Sequence, residues 1–246
     1  IGAYIRDLII TQNFDVETVV AMLDEVASEI NSQNYSEVHI AILGDVIESF
    51  TGKNHLNSFQ SIGYGQTGFS IFITAYEILE NFIASIDNVK KVYCVSGNHD
   101  RYSSSNKEDV KGEVMQGLAY FLDKHLNVDV EYNPLVITAV IDGICYVITH
   151  GHHGFSKKNL EKIILDYGKQ GMFNVVVMGH YHSRTKKEIL VKVETIIKDS
   201  SKYRGYICPS LFTGNFFSEA LGFSSVAGFL QFWNKNGNPV CLDIPL

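Results

Sequence analysis

Six histidines, two aspartates and one asparagine stand in short clusters whose side chains could hold metal ions. The clusters are Asp45, then Asn98–His99–Asp100, then His150 with His152 and His153, and finally His180 with His182. Imidazole nitrogen, carboxylate and amide oxygen together suit borderline to hard divalent ions, such as manganese, iron or zinc. No cysteine joins them, which argues against a purely structural zinc site.

Each cluster ends a short apolar run. Val38–Leu43 precedes Gly44–Asp45, and Val92–Ser96 precedes Gly97–Asn98–His99–Asp100. Ile144–Thr149 runs into His150, and Val175–Met178 into Gly179–His180–Tyr181–His182. Runs of this length and composition read as buried strands. In open α/β sheets, sites assemble beyond the carboxyl ends of strands, so ligands distant in sequence can converge without a local motif.

Helical periodicity fills the intervals. Asp15 can cap a helix bearing Val19, Val20, Leu23, Val26, Ala27 and Ile30 at helical spacing. Phe69–Ile86 is long and apolar, and Val110–Leu126 reads as a helix carrying Gly112 and Gly117. Asp142–Gly143 is a favoured two-residue turn between Leu135–Ile141 and Ile144–Thr149. Ser156 can cap a helix running through Tyr167. From Ile189 onward the pattern is β-like, through Ile196–Ile197, Tyr206–Cys208, Phe229–Trp233 and Val240–Ile244. The expectation is an α/β sandwich of mixed sheets flanked by helices. One domain is expected over residues 1–246, with residues 49–90 a helical insertion near the site.

Composition narrows the function class. A hydrophobic content of 46% with 19% charged residues fits a soluble globular enzyme. A net charge of -7 argues against bulk electrostatic coating of nucleic acid. It does not exclude a nuclease, because a metal site brings its own local positive charge. No apolar run reaches membrane-spanning length, and no signal-peptide pattern opens the sequence. Cys94 and Cys145 sit in apolar strand-like runs and read as buried free thiols, which fits a reducing cytoplasm.

The ordered series Gly44–Asp45, Gly97–Asn98–His99–Asp100, His150–Gly151 and Gly179–His180–Tyr181–His182 resembles the calcineurin-like metallophosphoesterase superfamily. Within it, the chain is most similar to DNA-repair-exonuclease-like and phage-type phosphoesterases. The resemblance implies a metallophosphoesterase-type sandwich and two divalent cations, manganese first, with iron, zinc or magnesium as the others. It implies that Asp45 bridges both cations, that Asn98, His150 and His180 complete one of them, and that His182 binds the second. His99 would stabilise the transition state or protonate the leaving oxygen, and Asp100 would orient the His99 ring. Hydroxide generated by the cations would then attack phosphorus directly, without a covalent enzyme intermediate. The family's opening D-x-H motif does not occur before Asp45, since Asp7 is followed by Leu8 and Ile9. Ile1–Gly2 resembles the tail of that motif, so its Asp and His are expected just before Ile1 in the full-length protein.

Other features stay open. His152 and His153 either contact substrate or line a wet loop. Arg101, directly after the asparagine–histidine–aspartate cluster, is a candidate phosphate contact. Gly63–Tyr64–Gly65–Gln66–Thr67–Gly68 matches a dinucleotide-binding pattern but follows no apolar strand, so it reads as a loop entering a helix. Arg184, Lys186, Lys187, Lys192, Lys198, Lys202 and Arg204 could track a phosphate backbone, although Glu188, Glu194 and Asp199 make a solvated surface an equal reading. The favoured substrate is a nucleic-acid phosphodiester, in DNA or RNA. The rivals are a small phosphodiester or phosphomonoester, and a binding scaffold without catalysis.

Overall fold

The computed structural model describes residues 15–53, 65–103, 105–108, 111–181, 202–212 and 226–246. It is mixed α/β, and its strands sort by which face each side chain serves. In β2 (Val89–Val95), Val92 and Cys94 enter one core while Tyr93 and Val95 enter another. The same period of two divides β5 (Ile144–Thr149): Ile144, Tyr146 and Ile148 point one way, Cys145 and Val147 the other. In β6 (Phe173–Met178), Phe173, Val175 and Val177 join the first set, and Val176 and Met178 the second.

Those alternations build four layers. The first sheet runs β1 (Val38–Ile42), β2, β3 (Asp129–Asn133), all parallel. The second runs β4 (Val136–Ile141), β5, β6, β7 (Lys202–Ile207), parallel except for the β4–β5 pair. The inner faces of the two sheets share one core, in which Tyr93 and Val95 meet Ile137, Ile148 and Val175. Helices α2 (Gly68–Ala84) and α3 (Glu113–His125) cover the outer face of the first sheet, with Ile71, Ala75, Leu79, Met115, Leu118 and Leu122 buried there. Helix α4 (Leu160–Tyr167) covers the second through Ile163 and Ile164. Helix α1 (Val16–Ser32) packs Val19 and Leu23 against Ile78 of α2. A two-stranded ribbon, β8 (Gly228–Lys235) with β9 (Asn238–Pro245), lies along the second sheet, where Phe232 meets Tyr146.

Local sequence accounts for the ends of these elements. The Asp15 carboxylate accepts from the Thr18 amide at 2.8 Å and caps α1 as expected. Asp142 (φ 46°) and Gly143 (φ 76°) both take the left-handed conformation that a tight hairpin of this hand requires. Asn236 (φ 55°) and Gly237 (φ 77°) do the same between β8 and β9.

Three expectations need correction. Ser156 precedes a single 3-10 turn, Lys157–Asn159, and makes no side-chain cap; α4 starts only at Leu160. Strand β3 was not expected, yet it pairs with β2 along its length. Its solvent-exposed Asp129 and Glu131 form ion pairs with Lys91 at 2.8 and 3.0 Å, while Val130 and Tyr132 pack toward the helices. Finally, α2 is not an appendage. It is the crossover joining parallel β1 and β2, its apolar face lies in the core, and residues 89–90 already belong to β2. Residues 54–64 and Ile196–Ile197 lie outside the described residues.

Candidate metal centre

The carboxyl ends of β1, β2, β5 and β6 meet where the two sheets approach each other. Asp45 follows β1 by three residues, Asn98 follows β2 by three, His150 directly follows β5, and His180 follows β6 by two. The sheets are tied together there. His150 Nδ1 lies 2.6 Å from the Leu43 carbonyl oxygen, which joins the end of β5 to the end of β1.

Two loops are pressed backbone to backbone to make this possible. A Cβ on Gly44 (φ 82°) would stand 2.3 Å from the Gly97 nitrogen, and one on Gly97 would stand 2.4 Å from the Asp45 nitrogen. No residue but glycine fits at either position. The fully buried Asp100 carboxylate locks the pair: Oδ2 accepts from the amides of Gly97 (2.8 Å) and Asp45 (2.9 Å), and Oδ1 from Val46 (3.1 Å). Burial and the Asp45 charge push the Asp100 pKa up, while the Gly97 and Asp45 amides pull it down.

This corrects the role expected for Asp100. It braces the two loops, and the His99 ring faces Glu48 instead. His99 Nδ1 donates to the Glu48 carbonyl at 2.8 Å, with the Glu48 carboxylate 3.5 Å away. Burial works to lower the His99 pKa, but the charges of Asp45 and Glu48 outweigh it and raise it. No sequence motif marked Glu48, because its contact runs mainly through a backbone carbonyl that any residue would supply.

At the focus, lone pairs converge. A carbonyl can only accept, so the contact to Leu43 places a proton on His150 Nδ1 and leaves Nε2 with its lone pair in the neutral ring. Around Nε2 stand Asp45 Oδ2 at 3.0 Å, Asn98 Oδ1 at 3.2 Å and His180 Nδ1 at 3.2 Å. Burial alone would raise the Asp45 pKa, yet the imidazoles of His99 and His150 hold it well below the ordinary range. That makes Asp45 an acceptor. Its Oδ1 accepts the His99 amide at 2.8 Å, while Oδ2 is buried with no hydrogen-bond donor. An extra proton on His150 could satisfy one of these neighbours; a divalent cation satisfies them all. Ligands about 2.1 Å from an ion lie roughly 3.0–3.5 Å apart at octahedral or tetrahedral angles, and the three spacings from His150 Nε2 fall in that range. The ligand atoms of Asp45, His150 and His180 all lie within 4.8 Å of one another. Asp45 (φ 52°) and His180 (φ 68°) both hold left-handed backbone, a strain that clusters at functional sites.

The remaining expected site residues fall differently. Arg101 is buried and its Nε donates to the Asn98 carbonyl at 2.6 Å, so it steadies that loop from within. His152 is buried beside the focus, its ring centroid 5.1 Å from that of His150. His153 is exposed at the start of a 3-10 turn, His153–Phe155. His182, Arg184 to Asp199 and the first fourteen residues lie outside the described residues, as do Gly63 and Tyr64 of the glycine-rich stretch before α2. No described helix is long and apolar enough to cross a membrane, and Cys94 and Cys145 are buried free thiols as expected. No protein-family model matches the sequence, and no curated protein matches it.

Proposed function

We propose that the chain is a divalent-metal-dependent phosphoesterase of the calcineurin-like metallophosphoesterase type, with nucleic-acid phosphodiesters as its favoured substrate. The observation that carries this reading is the meeting of Asp45 Oδ2, Asn98 Oδ1, His150 Nε2 and His180 Nδ1 around one point, with the carboxylate oxygen left without a donor. The ordered motifs that supply these atoms, and a pair of sheets flanked by helices that gathers them, support the same reading.

Asp45, Asn98, His150 and His180 would hold one cation, and Asp45 and His182 would contribute to a second. Bound divalent ions polarise phosphoryl oxygens and lower the pKa of water, to about 7 in favourable zinc sites. The chain's own part is orientation and proton transfer. His150 is fixed by Leu43, Asp45 by the His99 amide, and the loop of Asn98 by Asp100 and Arg101. With Nδ1 engaged by Glu48, the His99 ring has Nε2 as the atom that can give a proton to a leaving oxygen.

The test is metal analysis of the purified full-length protein together with three hydrolysis assays. Bound manganese, iron or zinc near two ions per chain is expected, with cleavage of bis-p-nitrophenyl phosphate and of single-stranded DNA or RNA. Less than one ion per chain would favour a scaffold without catalysis. Cleavage of p-nitrophenyl phosphate alone would move the substrate to small phosphomonoesters. Asp45→Asn should lose metal and activity together.

A further inference from the structure

Among the described residues, five buried side-chain polar atoms have no hydrogen-bond partner, and three of them belong to Asp45 and to His152, whose ring packs against His150. One is Asp45 Oδ2. The other two are both ring nitrogens of His152, a side chain only 7% exposed. A buried polar group without a partner costs about 1–3 kcal/mol, and such groups are rare enough in native folds that each calls for an explanation.

The surroundings narrow what completes it. The His152 ring packs across His150 and lies 6.3 Å, centroid to centroid, from His180. It therefore borders both proposed ligands. Yet the converging ligand atoms belong to Asp45, His150 and His180, and the His152 nitrogens stand outside that group. Gly151 (φ 102°) turns the chain between them, and the His152 ring ends 5.1 Å from the His150 ring, centroid to centroid. Purely apolar packing does not account for the position, since an imidazole brings two polar atoms that a phenyl ring of similar shape would not. A neutral imidazole offers one donor and one acceptor. Beside a cation-binding cluster, the partner that brings negative oxygen is the anion that the cation itself attracts.

We infer that His152 is a substrate-positioning residue: one ring nitrogen donates to a non-bridging oxygen of the phosphoryl group drawn to the centre. This rests on the function proposed above. It assigns His152 to the anion and leaves the cations to other residues.

Inorganic phosphate is the probe, titrated calorimetrically into the manganese-loaded full-length protein, with metal content measured in parallel. His152→Phe keeps the ring volume without polar atoms, and His152→Gln keeps a donor. Both should hold as much metal as the parent. His152→Phe should weaken phosphate binding about tenfold or more, and His152→Gln should recover most of that loss. Should His152→Phe fail to fold by its melting curve, His152→Leu replaces it with the same expectation. Phosphate binding unchanged in the apolar variant would overturn the assignment, leaving His152 a packing residue. Metal lost in both variants would overturn it too, making His152 a ligand. A parent that holds no divalent ion sinks the proposed function and this inference with it. A parent that binds metal and phosphate while the variants behave identically sinks the inference alone.

Discussion

At the scale of single residues, His99 is the sharpest case. Its Nδ1 is committed to the Glu48 carbonyl and its amide to Asp45, so the ring is held without touching the converging lone pairs. His99→Ala should therefore lose about 10²–10⁴-fold in turnover, the usual worth of a positioned general acid, while keeping its full complement of metal. Loss of metal in that variant would mean the ring belongs to the coordination set. Glu48 offers a subtler check. Glu48→Gln keeps the carbonyl that orients the ring but removes a charge that raises the His99 pKa, so the acidic protonation of His99 should shift to lower pH in the variant. Proton NMR of the ring in the metal-free protein reads this directly, and an unmoved titration would show that Glu48 acts through its backbone alone.

At the scale of elements, the glycines after β1 and β2 decide more than the ligands do. Gly97→Ala would drive a Cβ into the Asp45 amide and carboxylate, at 2.4 and 1.9 Å, so the two loops must separate. The expected cost is about 1–3 kcal/mol of stability, typical of forced overpacking, together with loss of metal binding. Gly143→Ala is the control: its Cβ meets open space, so only the left-handed backbone is strained, at about 1–2 kcal/mol, and metal binding should survive. In the outer core, Leu118→Ala should cost about 2–5 kcal/mol, because Leu118 projects from α3 fully buried between α2 and the first sheet. Chemical denaturation checks all three. These elements also show what a sequence can disclose. The apolar runs ending at Asn98, His150 and His180 were legible because burial on both faces leaves continuous hydrophobic stretches, whereas the run ending at Asp45 is only half-buried. Strand β3 was not, because Asp129 and Glu131 break the run, and their partner Lys91 sits far away in sequence. The Asp142–Gly143 turn was read from its residues, whereas the roles of Asp100 and Glu48 depend on amides and carbonyls, which carry no signature in residue type.

At the scale of the whole molecule, the centre is where two sheets are joined, so binding there should be felt as global stability. A cation that binds only the folded state adds RT ln(1 + [M]/Kd), or about 4 kcal/mol at a thousandfold excess over Kd. The pH dependence of that gain has a definite sign. Burial lowers the His150 pKa, but Asp45 and the Leu43 carbonyl raise it further, so the metal-free fold holds a proton on His150 above the ordinary value of 6.5. His99 is raised in the same direction. For each, the proton's contribution to stability is complete below 6.5 and disappears as pH climbs through the raised folded value. The cation needs the opposite condition, a deprotonated His150 Nε2, and must displace that proton to bind. Metal-free protein should therefore lose stability as pH rises above 6.5 on this account, while the rise in melting temperature on adding manganese should grow in the same direction and shrink toward pH 5. Melting curves at fixed manganese concentration across roughly pH 5–8 measure both. A metal-induced shift of equal size at pH 5 and pH 8 would mean that the ion does not take the place of the His150 proton, and the junction of the two sheets would then be held by an ion pair between Asp45 and His150.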